Sequence, residues 1–137
     1  APLHFLARAA LTSAVPVSVV IGARTAADLL FADRFAALGA PVITTTDDGS
    51  AGLAGFVTAG VEQLLAAAAP RPDQLYACGP GPMLAALERL ATQQQLAAQL
   101  SWENKMRCGI GICGTCEKEG WLVCREGPVR LNAQPAP

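Results

Sequence analysis

The sequence is poor in aromatic residues and carries almost no net charge. Aromatics make up 5% of its 137 residues, and the formal net charge is −1. Without a basic excess, no electrostatic field attracts nucleic acid or an anionic membrane. No apolar run is long enough to cross a bilayer, and no basic segment followed by a hydrophobic one opens the sequence as in a secretory signal. We therefore expect a cytoplasmic protein without a nucleic-acid partner and without membrane insertion.

The composition also lacks the residues of several common catalytic sites. Histidine occurs once, as His4, and we expect it to be exposed. No Ser/His/Asp triad, paired-carboxylate site or P-loop is recognisable. Hydrophobic residues make up 52% of the chain, much of it alanine, so a real core can be buried within one domain of ordinary size.

Cysteine is concentrated in one segment. Four of the five cysteines follow the pattern C-x4-C-x2-C-x7-C, and they are Cys108, Cys113, Cys116 and Cys124. Plant-type [2Fe–2S] sites use C-x4-C-x2-C with a more distant fourth cysteine. Three thiolates must reach a small inorganic core from one tight loop, and Gly109, Gly111 and Gly114 permit the unusual dihedrals that this requires. Ile110 and Ile112 can supply an apolar cover that limits solvent access.

Structural zinc and disulfides are the alternatives to an iron–sulfur cluster for these cysteines. Structural zinc motifs usually have two C-x2-4-C pairs separated by a longer spacer, whereas this sequence has one C-x2-C pair and a short spacer after it. Disulfides suit small secreted domains, and nothing in the sequence indicates secretion. The spacing favours the cluster first, zinc second and disulfides third.

Helical and strand-like segments alternate along the rest of the chain. Apolar periodicity predicts helices over residues 3–13, 26–38, 58–69 and 82–95. Apolar and β-branched runs predict strands over residues 17–21, 42–45, 74–78 and 99–102. This alternation predicts an α/β fold, a parallel sheet with helices on both faces and right-handed connections.

Three loops follow predicted strands, where ligands bind in such sheets. They are Gly22-Ala23-Arg24, Thr46-Asp47-Asp48-Gly49-Ser50 and Cys78-Gly79-Pro80-Gly81-Pro82. Arg24 either holds a phosphate or ribose or is a solvated charge. Asp47 and Asp48 are either ligand contacts or simple turn residues. Cys78 is either a ligand neighbour or a small buried hydrophobic residue. Gly79 and Gly81 are either turn residues or let a planar ring or phosphate approach the backbone.

Several motifs, taken together, resemble those of a known family. Cys78-Gly79-Pro80-Gly81-Pro82-Met83 resembles the CGPxPM element of ferredoxin–NAD(P) reductase-type modules. The segments Ser101–Cys108 and Cys124–Val129, with the cysteine loop between them, resemble the electron-transfer subunit of class B dihydroorotate dehydrogenase. The first two strand-end loops fit the same family. The resemblance covers essentially the whole chain.

The resemblance implies an oxidoreductase module that passes electrons between NAD, FAD and a [2Fe–2S] cluster. It implies a partner, the FMN-containing catalytic subunit that oxidises dihydroorotate to orotate in pyrimidine biosynthesis. Family members begin with an FAD-binding β-barrel, then a strand and a Gly-rich turn that ends in an Ala-Pro-Leu like residues 1–3. We therefore expect a C-terminal fragment that lacks the barrel and the first strand and that cannot oxidise NADH alone.

The resemblance also implies roles for individual residues. The four cysteines of the loop would ligate the cluster. Cys78, Gly79 and Pro80 would lie beside the nicotinamide, within the element that continues through Gly81 and Met83. The adenosine half would lie near Arg24, Asp47 and Asp48. The two carboxylates would repel a 2′-phosphate if they face the ribose.

The expected division is an NAD(P)-binding α/β domain over residues 1–101 and a [2Fe–2S]-binding subdomain over residues 102–137. The seven-residue spacer before Cys124 is shorter than in many dihydroorotate dehydrogenase subunits, and it resembles that of the γ subunits of cytosolic sulfhydrogenases and of some archaeal-type subunits. The alternatives are therefore a γ or diaphorase subunit that serves hydrogenase or sulfite reductase subunits, or a non-redox domain that binds structural zinc.

Overall fold

A computed structural model describes residues 2–67 and 70–132, which fall into two compact units. The N-terminal unit spans Ala1–Pro72 and the C-terminal unit spans Asp73–Pro137. Each unit contains a three-stranded sheet, and the C-terminal unit also contains a two-stranded hairpin. No helix in the two described ranges is both long enough and apolar enough to cross a bilayer.

The N-terminal unit is a parallel sheet with helices packed on it. Its elements in order are α1 (Pro2–Thr12), β1 (Val19–Ala23), a 3-10 helix (Ala26–Asp28), α2 (Ala32–Ala36), β2 (Val42–Thr46), β3 (Leu53–Ala54) and α3 (Val57–Ala67). Strand β1 pairs in parallel with β2, and β2 pairs in parallel with β3. Ala23 lies opposite Thr46, so the loops that follow β1 and β2 leave the sheet side by side.

Helix α3 lies unusually close to this sheet because of Gly60. A Cβ built on Gly60 would lie 2.6 Å from Cγ1 of Val20 and 2.9 Å from Cγ2 of Thr45. Thr45 and Thr46 are fully buried beneath the helix and the following turn. The side chain of Thr46 donates to the carbonyl of Ala51 at 2.7 Å and accepts the amide of the same residue, which fixes the loop after β2.

The C-terminal unit begins with a strand, a helix and a second parallel strand. These are β4 (Gln74–Cys78), α4 (Gly81–Gln93) and β5 (Ala97–Ser101). Pro82 suits the first turn of α4, where its missing N–H has no helical partner. The buried residues that α4 and β5 contribute to the core are Leu84, Leu87, Leu90, Ala91, Ala98 and Leu100. Strand β8 (Val129–Asn132) pairs antiparallel with β5 at the edge of this sheet.

The segment between β5 and β8 carries the cysteines. A run of turns leads into a hairpin made of β6 (Glu117–Lys118) and β7 (Trp121–Leu122), which is followed by the short helix α5 (Val123–Glu126). Glu119 and Gly120 form the two-residue connection with φ of 52° and 82°, as a right-twisted hairpin prefers. The amide of Trp102 donates to the carbonyl of Pro128 at 2.7 Å, which ties the start of the segment to its end.

The predicted α/β architecture of parallel strands flanked by helices is confirmed. The four predicted strands and three of the four predicted helices lie within about two residues of the observed bounds. Residues 68–69 of the predicted helix 58–69 lie outside the described residues. The predicted helix over residues 26–38 is wrong, because a 3-10 helix and the short α2 replace it. Phe31 interrupts the two with φ of 68°, which lets Phe35 bury its ring and meet His4 edge to face.

Candidate functional site

The cysteine loop is built from tight turns that depend on glycine. Gly109, Gly111 and Gly114 adopt φ of 70°, 82° and 67°, which side chains with a Cβ rarely adopt. These turns direct successive backbone N–H groups inward. The predicted conformational role of the three glycines agrees with these angles. Ile110 and Ile112 are 62% and 80% exposed, so they do not cover the loop within this chain as the sequence suggested.

Backbone amides surround the sulfur of Cys108. The amides of Cys113, Ile110 and Ile112 donate hydrogen bonds to this sulfur, with the Cys113 thiol beside it, and together they lower the pKa of Cys108 to about 6. Hydrogen bonds favour the thiolate, because they stabilise its negative charge. The loop therefore stabilises at this position the form of cysteine that binds metals.

Cys113 is stabilised in the same way by a neighbour that the spacing pattern did not reveal. Its thiol and the hydroxyl of Thr115 are hydrogen-bonded at 3.2 Å. This contact and the Thr115 amide lower the pKa of Cys113. Cys113 is exposed, while its partner Cys108 is half-buried.

Cys116 and Cys124 form a second, more buried pair. The sulfur of Cys116, which is 3% exposed, accepts the amide of Cys124 at 3.4 Å. The Cys116 thiol raises the pKa of Cys124 and burial raises it further, while the amide of Gly111 acts in the opposite direction. The amide group of Asn104 donates to the Cys116 carbonyl at 3.2 Å, and so supports the backbone of this pair.

The four thiols therefore meet as two pairs. Cys108 contacts Cys113, and Cys116 contacts Cys124. In the described ranges, no three His, Cys, Asp or Glu side chains are close enough to hold one metal ion. All five cysteines are free thiols, which gives no support to the disulfide alternative. Two thiol pairs on one loop can each serve a different iron of a two-iron cluster.

Charged contacts hold the hairpin of the cysteine segment against neighbouring strands. The ammonium of Lys118 lies 4.0 Å from the ring centroid of buried Trp102, at the end of β5. Arg130 of β8 contacts Glu119 in the hairpin turn at 2.7 Å. The Arg130 guanidinium and the Lys118 ammonium lower the pKa of Glu119, so its carboxylate remains charged at neutral pH. These contacts position β6 and β7, and hence Cys116 and Cys124 beside them.

In the N-terminal unit, the structure brings Arg24, Asp47 and Asp48 together at the ends of β1 and β2. The amides of Asp47 and Asp48 donate to the carbonyls of Ala23 and Arg24 at 3.0 and 3.2 Å. Ser50 joins the two loops, because its hydroxyl bonds the Asp48 carboxylate and the amide of Ala26. The Ser50 side chain and amide lower the pKa of Asp48, and all three predicted residues are exposed.

In the C-terminal unit, the element Cys78–Met83 spans the end of β4 and the start of α4. Cys78 is half-buried, and the end of the Met83 side chain lies over Gly79, 2.4 Å from where a Cβ would stand. The amide of Leu84 donates to the Pro80 carbonyl at 3.1 Å, which begins the helix. The predicted nucleotide residues thus divide between the two units, with Arg24, Asp47 and Asp48 in one and Cys78–Met83 in the other.

Three residues of the cysteine site were missed by spacing alone. They are Thr115, Asn104 and Arg125. Thr115 and Arg125 each stand next to a loop cysteine in the sequence, so adjacency was the available signal. Asn104 gave no such signal, because its role depends on a contact across twelve residues.

Curated relatives of this chain are electron transfer subunits. Comparison with protein-family models finds no match. The chain is 41% identical over 131 residues to the probable dihydroorotate dehydrogenase B (NAD(+)), electron transfer subunit, of Methanothermobacter thermautotrophicus, covering 94% of this chain and 48% of that protein. It is 37% identical over 137 residues to the dihydroorotate dehydrogenase B (NAD(+)), electron transfer subunit, of Caldanaerobacter subterraneus, covering 94% and 52%.

A solved structure is similar over the same extent. It is a chain from the structure of an NADH-dependent reduced ferredoxin–NADP oxidoreductase, a system of flavin-based electron bifurcation. The TM-score is 0.78 at 28% identity, over 94% of this chain and 47% of that one. The chain spans about half the length of the curated relatives it matches. The resemblance predicted from the sequence is confirmed by these comparisons, and the predicted electron-transfer function agrees with the relatives' names.

Proposed function

We propose that this chain supplies the NAD site and the [2Fe–2S] site of a dihydroorotate dehydrogenase B electron transfer subunit. Nearly all of the chain matches about half of such a subunit. The paired arrangement of the four loop cysteines carries the proposal. Cys108 and Cys113 would hold one iron, and Cys116 and Cys124 the other. When bound, the cluster supplies one-electron transfer.

The pairing favours this cluster over structural zinc. A structural zinc ion needs four ligands that converge on one centre. The thiols of this loop contact each other two by two, and the described residues contain no group of three around a common point. The amides around Cys108 also fit a cluster, because hydrogen bonds to the ligand sulfurs stabilise the charge of the reduced state.

The nucleotide would be NAD rather than NADP. Asp48 remains ionised at neutral pH, since Ser50 lowers its pKa. With Asp47 beside it, two carboxylates stand at the end of β2, where an adenosine ribose would lie, and they disfavour a 2′-phosphate. Gly79 and Gly81 follow β4 at the start of a helix, where the backbone is open to a nicotinamide or a phosphate.

A flavin is required between the two sites. NADH gives up a hydride, two electrons at once, whereas a [2Fe–2S] cluster takes one electron at a time. FAD can perform this conversion. We place most of the FAD site in the part of the relatives that this chain does not match. The chain alone would then bind nucleotide and cluster without transferring electrons from one to the other.

The partner would be the FMN-containing catalytic subunit that converts dihydroorotate to orotate. Apolar side chains of the cysteine segment face solvent: Met106 is 57% exposed, Ile110 62% and Ile112 80%. Such a patch is typical of a protein interface, and it lies beside the proposed cluster, where an electron must leave. Free thiolate ligands suit the reducing cytoplasm, where this chain would bind the catalytic subunit.

A second candidate is the γ subunit of a cytosolic hydrogenase or sulfite reductase. The seven-residue spacer between Cys116 and Cys124 favours it. The same cluster and nucleotide sites would serve, with a different subunit at the exposed loop. The two candidates differ in which donor reduces the cluster.

Reduction of the cluster by dihydroorotate tests the proposal directly. The chain is purified anaerobically with its cluster, mixed with a dihydroorotate dehydrogenase B catalytic subunit, and given dihydroorotate. We expect the visible absorption to bleach, with one dihydroorotate per two clusters, because each substrate yields two electrons. NADH alone leaves the cluster oxidised, since no flavin joins the two sites.

The matched control is Met106→Glu, which places a charge on the proposed docking surface at a residue that is not among the hydrogen-bond donors to the ligand sulfurs. We expect it to retain the cluster and its bleaching by dithionite but to slow bleaching by dihydroorotate. The assignment would be contradicted if dithionite bleaches the cluster but dihydroorotate, in the presence of the catalytic subunit, does not. Bleaching by hydrogen with hydrogenase subunits would then favour the second candidate.

A further inference from the structure

Arg125 packs directly against the cysteine loop. A Cβ built on Gly111 would lie 2.2 Å from Cδ of Arg125, 2.8 Å from Cγ and 3.6 Å from Nε. The stem of the arginine therefore crosses the backbone of Gly111, and a side chain at position 111 would displace it. Gly111 thus serves two purposes, since its φ of 82° also disfavours any other residue.

The backbone beneath this arginine belongs to the ligand shell. The amide of Gly111 donates to the sulfur of Cys124, which directly precedes Arg125 in α5. Arg125 is therefore anchored at one end to a ligand cysteine and lies along the loop that carries the other three. Its stem, as far as Nε, is held on this loop by the covalent connection to Cys124 and by packing on Gly111.

The charge of Arg125 has no partner in the described part of the chain. The ion pairs there join Glu119 to Lys118 and Arg130. The neighbouring Glu126 accepts the Leu122 amide through its carboxylate. The stem of Arg125 lies on the loop and the residue is exposed, so its guanidinium is a positive charge without an ion-pair partner among the described residues.

We infer that Arg125 is a positioning residue that raises the reduction potential of the cluster, an inference that rests on the proposed function. Gain of one electron adds negative charge to the four-cysteine centre. A cation held beside that centre stabilises the reduced form more than the oxidised form. An arginine cannot lose its charge at any physiological pH, so the effect is independent of pH.

The test is a redox titration of the reconstituted chain, followed by electron paramagnetic resonance of the reduced cluster. For Arg125→Gln, which keeps Cγ and Cδ but removes the charge, we expect the ratio of reduced to oxidised cluster at fixed potential to fall about threefold. This corresponds to a decrease of about 30 mV, at about 59 mV per tenfold change for one electron. Arg125→Lys should restore most of the difference.

The control is Arg89→Gln, which removes the same charge from an exposed position on α4 and should leave the potential unchanged. A potential that is equal in wild type and Arg125→Gln overturns the inference and leaves the proposed function intact. So does an equal decrease in Arg125→Gln and Arg125→Lys, because charge would then not be the cause. A wild-type chain that takes up no cluster refutes both.

If Arg125→Gln loses its cluster, alkylation of the cluster-free proteins decides. A cation beside the thiolates speeds reaction with iodoacetate, an anion, relative to neutral iodoacetamide. We expect the ratio of the two rates at the loop cysteines to fall about threefold in Arg125→Gln and to persist in Arg125→Lys. An unchanged ratio would place the guanidinium away from the sulfurs and overturn the inference.

Discussion

The amide of Cys124 donates a hydrogen bond to the sulfur of Cys116 at 3.4 Å. This contact closes the cysteine loop, because it joins the start of α5 to the last turn before the hairpin. Cys116 is buried by the same fold, and its carbonyl accepts the Asn104 side chain. The most buried thiol of the loop is therefore held in place before any metal binds.

Replacing this thiol should remove the cluster and spare the sheet. For Cys116→Ser we expect at least about tenfold less bound iron, since even residues that only support ligands change metal affinity 10–100-fold. Strands β4, β5 and β8 pair without the loop, so the thermal transition by circular dichroism should persist. Cys78→Ser, outside the loop, is the control and should keep its iron. Loss of the whole cooperative transition would contradict this separation of fold and site.

Cys108 should ionise near pH 6 in the folded, cluster-free chain. The surrounding amides lower its pKa to about 6, against about 8.5 for a free cysteine. Alkylation of Cys108 by iodoacetamide, followed by mass spectrometry, should therefore rise with pH to a plateau near neutrality. In urea the midpoint should return to about 8.5. An unshifted midpoint in the folded chain would show that the loop does not preform.

The same shift makes the cluster-free fold sensitive to acid. A thiol whose pKa is lowered on folding contributes stability that is complete above its unfolded pKa and is lost as pH falls through the folded value. The loop should therefore lose protection between about pH 8.5 and about pH 6. Hydrogen exchange of the Ile110 and Ile112 amides checks this, and protection that does not change over that range would contradict it.

Gly60 should be intolerant of even a methyl group. Gly60→Ala places a Cβ 2.6 Å from Val20 Cγ1, so the helix or the strand must move. We expect a loss of about 1–2 kcal/mol in the free energy of unfolding, since overpacking outweighs the gain in helix propensity. Glu62→Ala, at an exposed position of the same helix, should change stability by less than about 0.5 kcal/mol. A Gly60→Ala variant as stable as wild type in urea denaturation would refute the close packing.

The chain should prefer NADH to NADPH. Two carboxylates at the end of β2 disfavour the extra phosphate, so we expect NADH to bind about tenfold more tightly. Asp47→Asn should reduce this preference, because it removes one of the two charges. The Asp47 carboxylate makes no hydrogen bond within the described residues, so the change should leave the loop intact. Fluorescence titration with each nucleotide measures the two constants. Equal affinities in the wild type would remove Asp47 and Asp48 from the nucleotide site.

The sequence predicts the parts of this molecule whose signals are local. Cysteine spacing and loop glycines are enough to locate the thiol site, since the turns need φ values that Gly109, Gly111 and Gly114 supply. The strand Gln74–Cys78 is predicted to the residue, because an apolar run ends at Gly79 and Pro80. Such features depend only on neighbours in the chain.

Features that depend on distant contacts could not be predicted. The apolar spacing of residues 26–38 resembles one helix, yet burial of Phe35 and the left-handed Phe31 divide it. Strand β8 is antiparallel to β5, although its sequence carries no sign of direction. The contact between Arg125 and Gly111 requires the fold of the loop itself.

The most direct test of the account is a visible spectrum with iron, sulfide and zinc analysis of anaerobically purified protein. Two thiol pairs predict a reddish-brown sample with about two irons and two sulfides per chain, which dithionite bleaches. A colourless protein that holds zinc with four thiolates and does not accept an iron–sulfur cluster on reconstitution would contradict it.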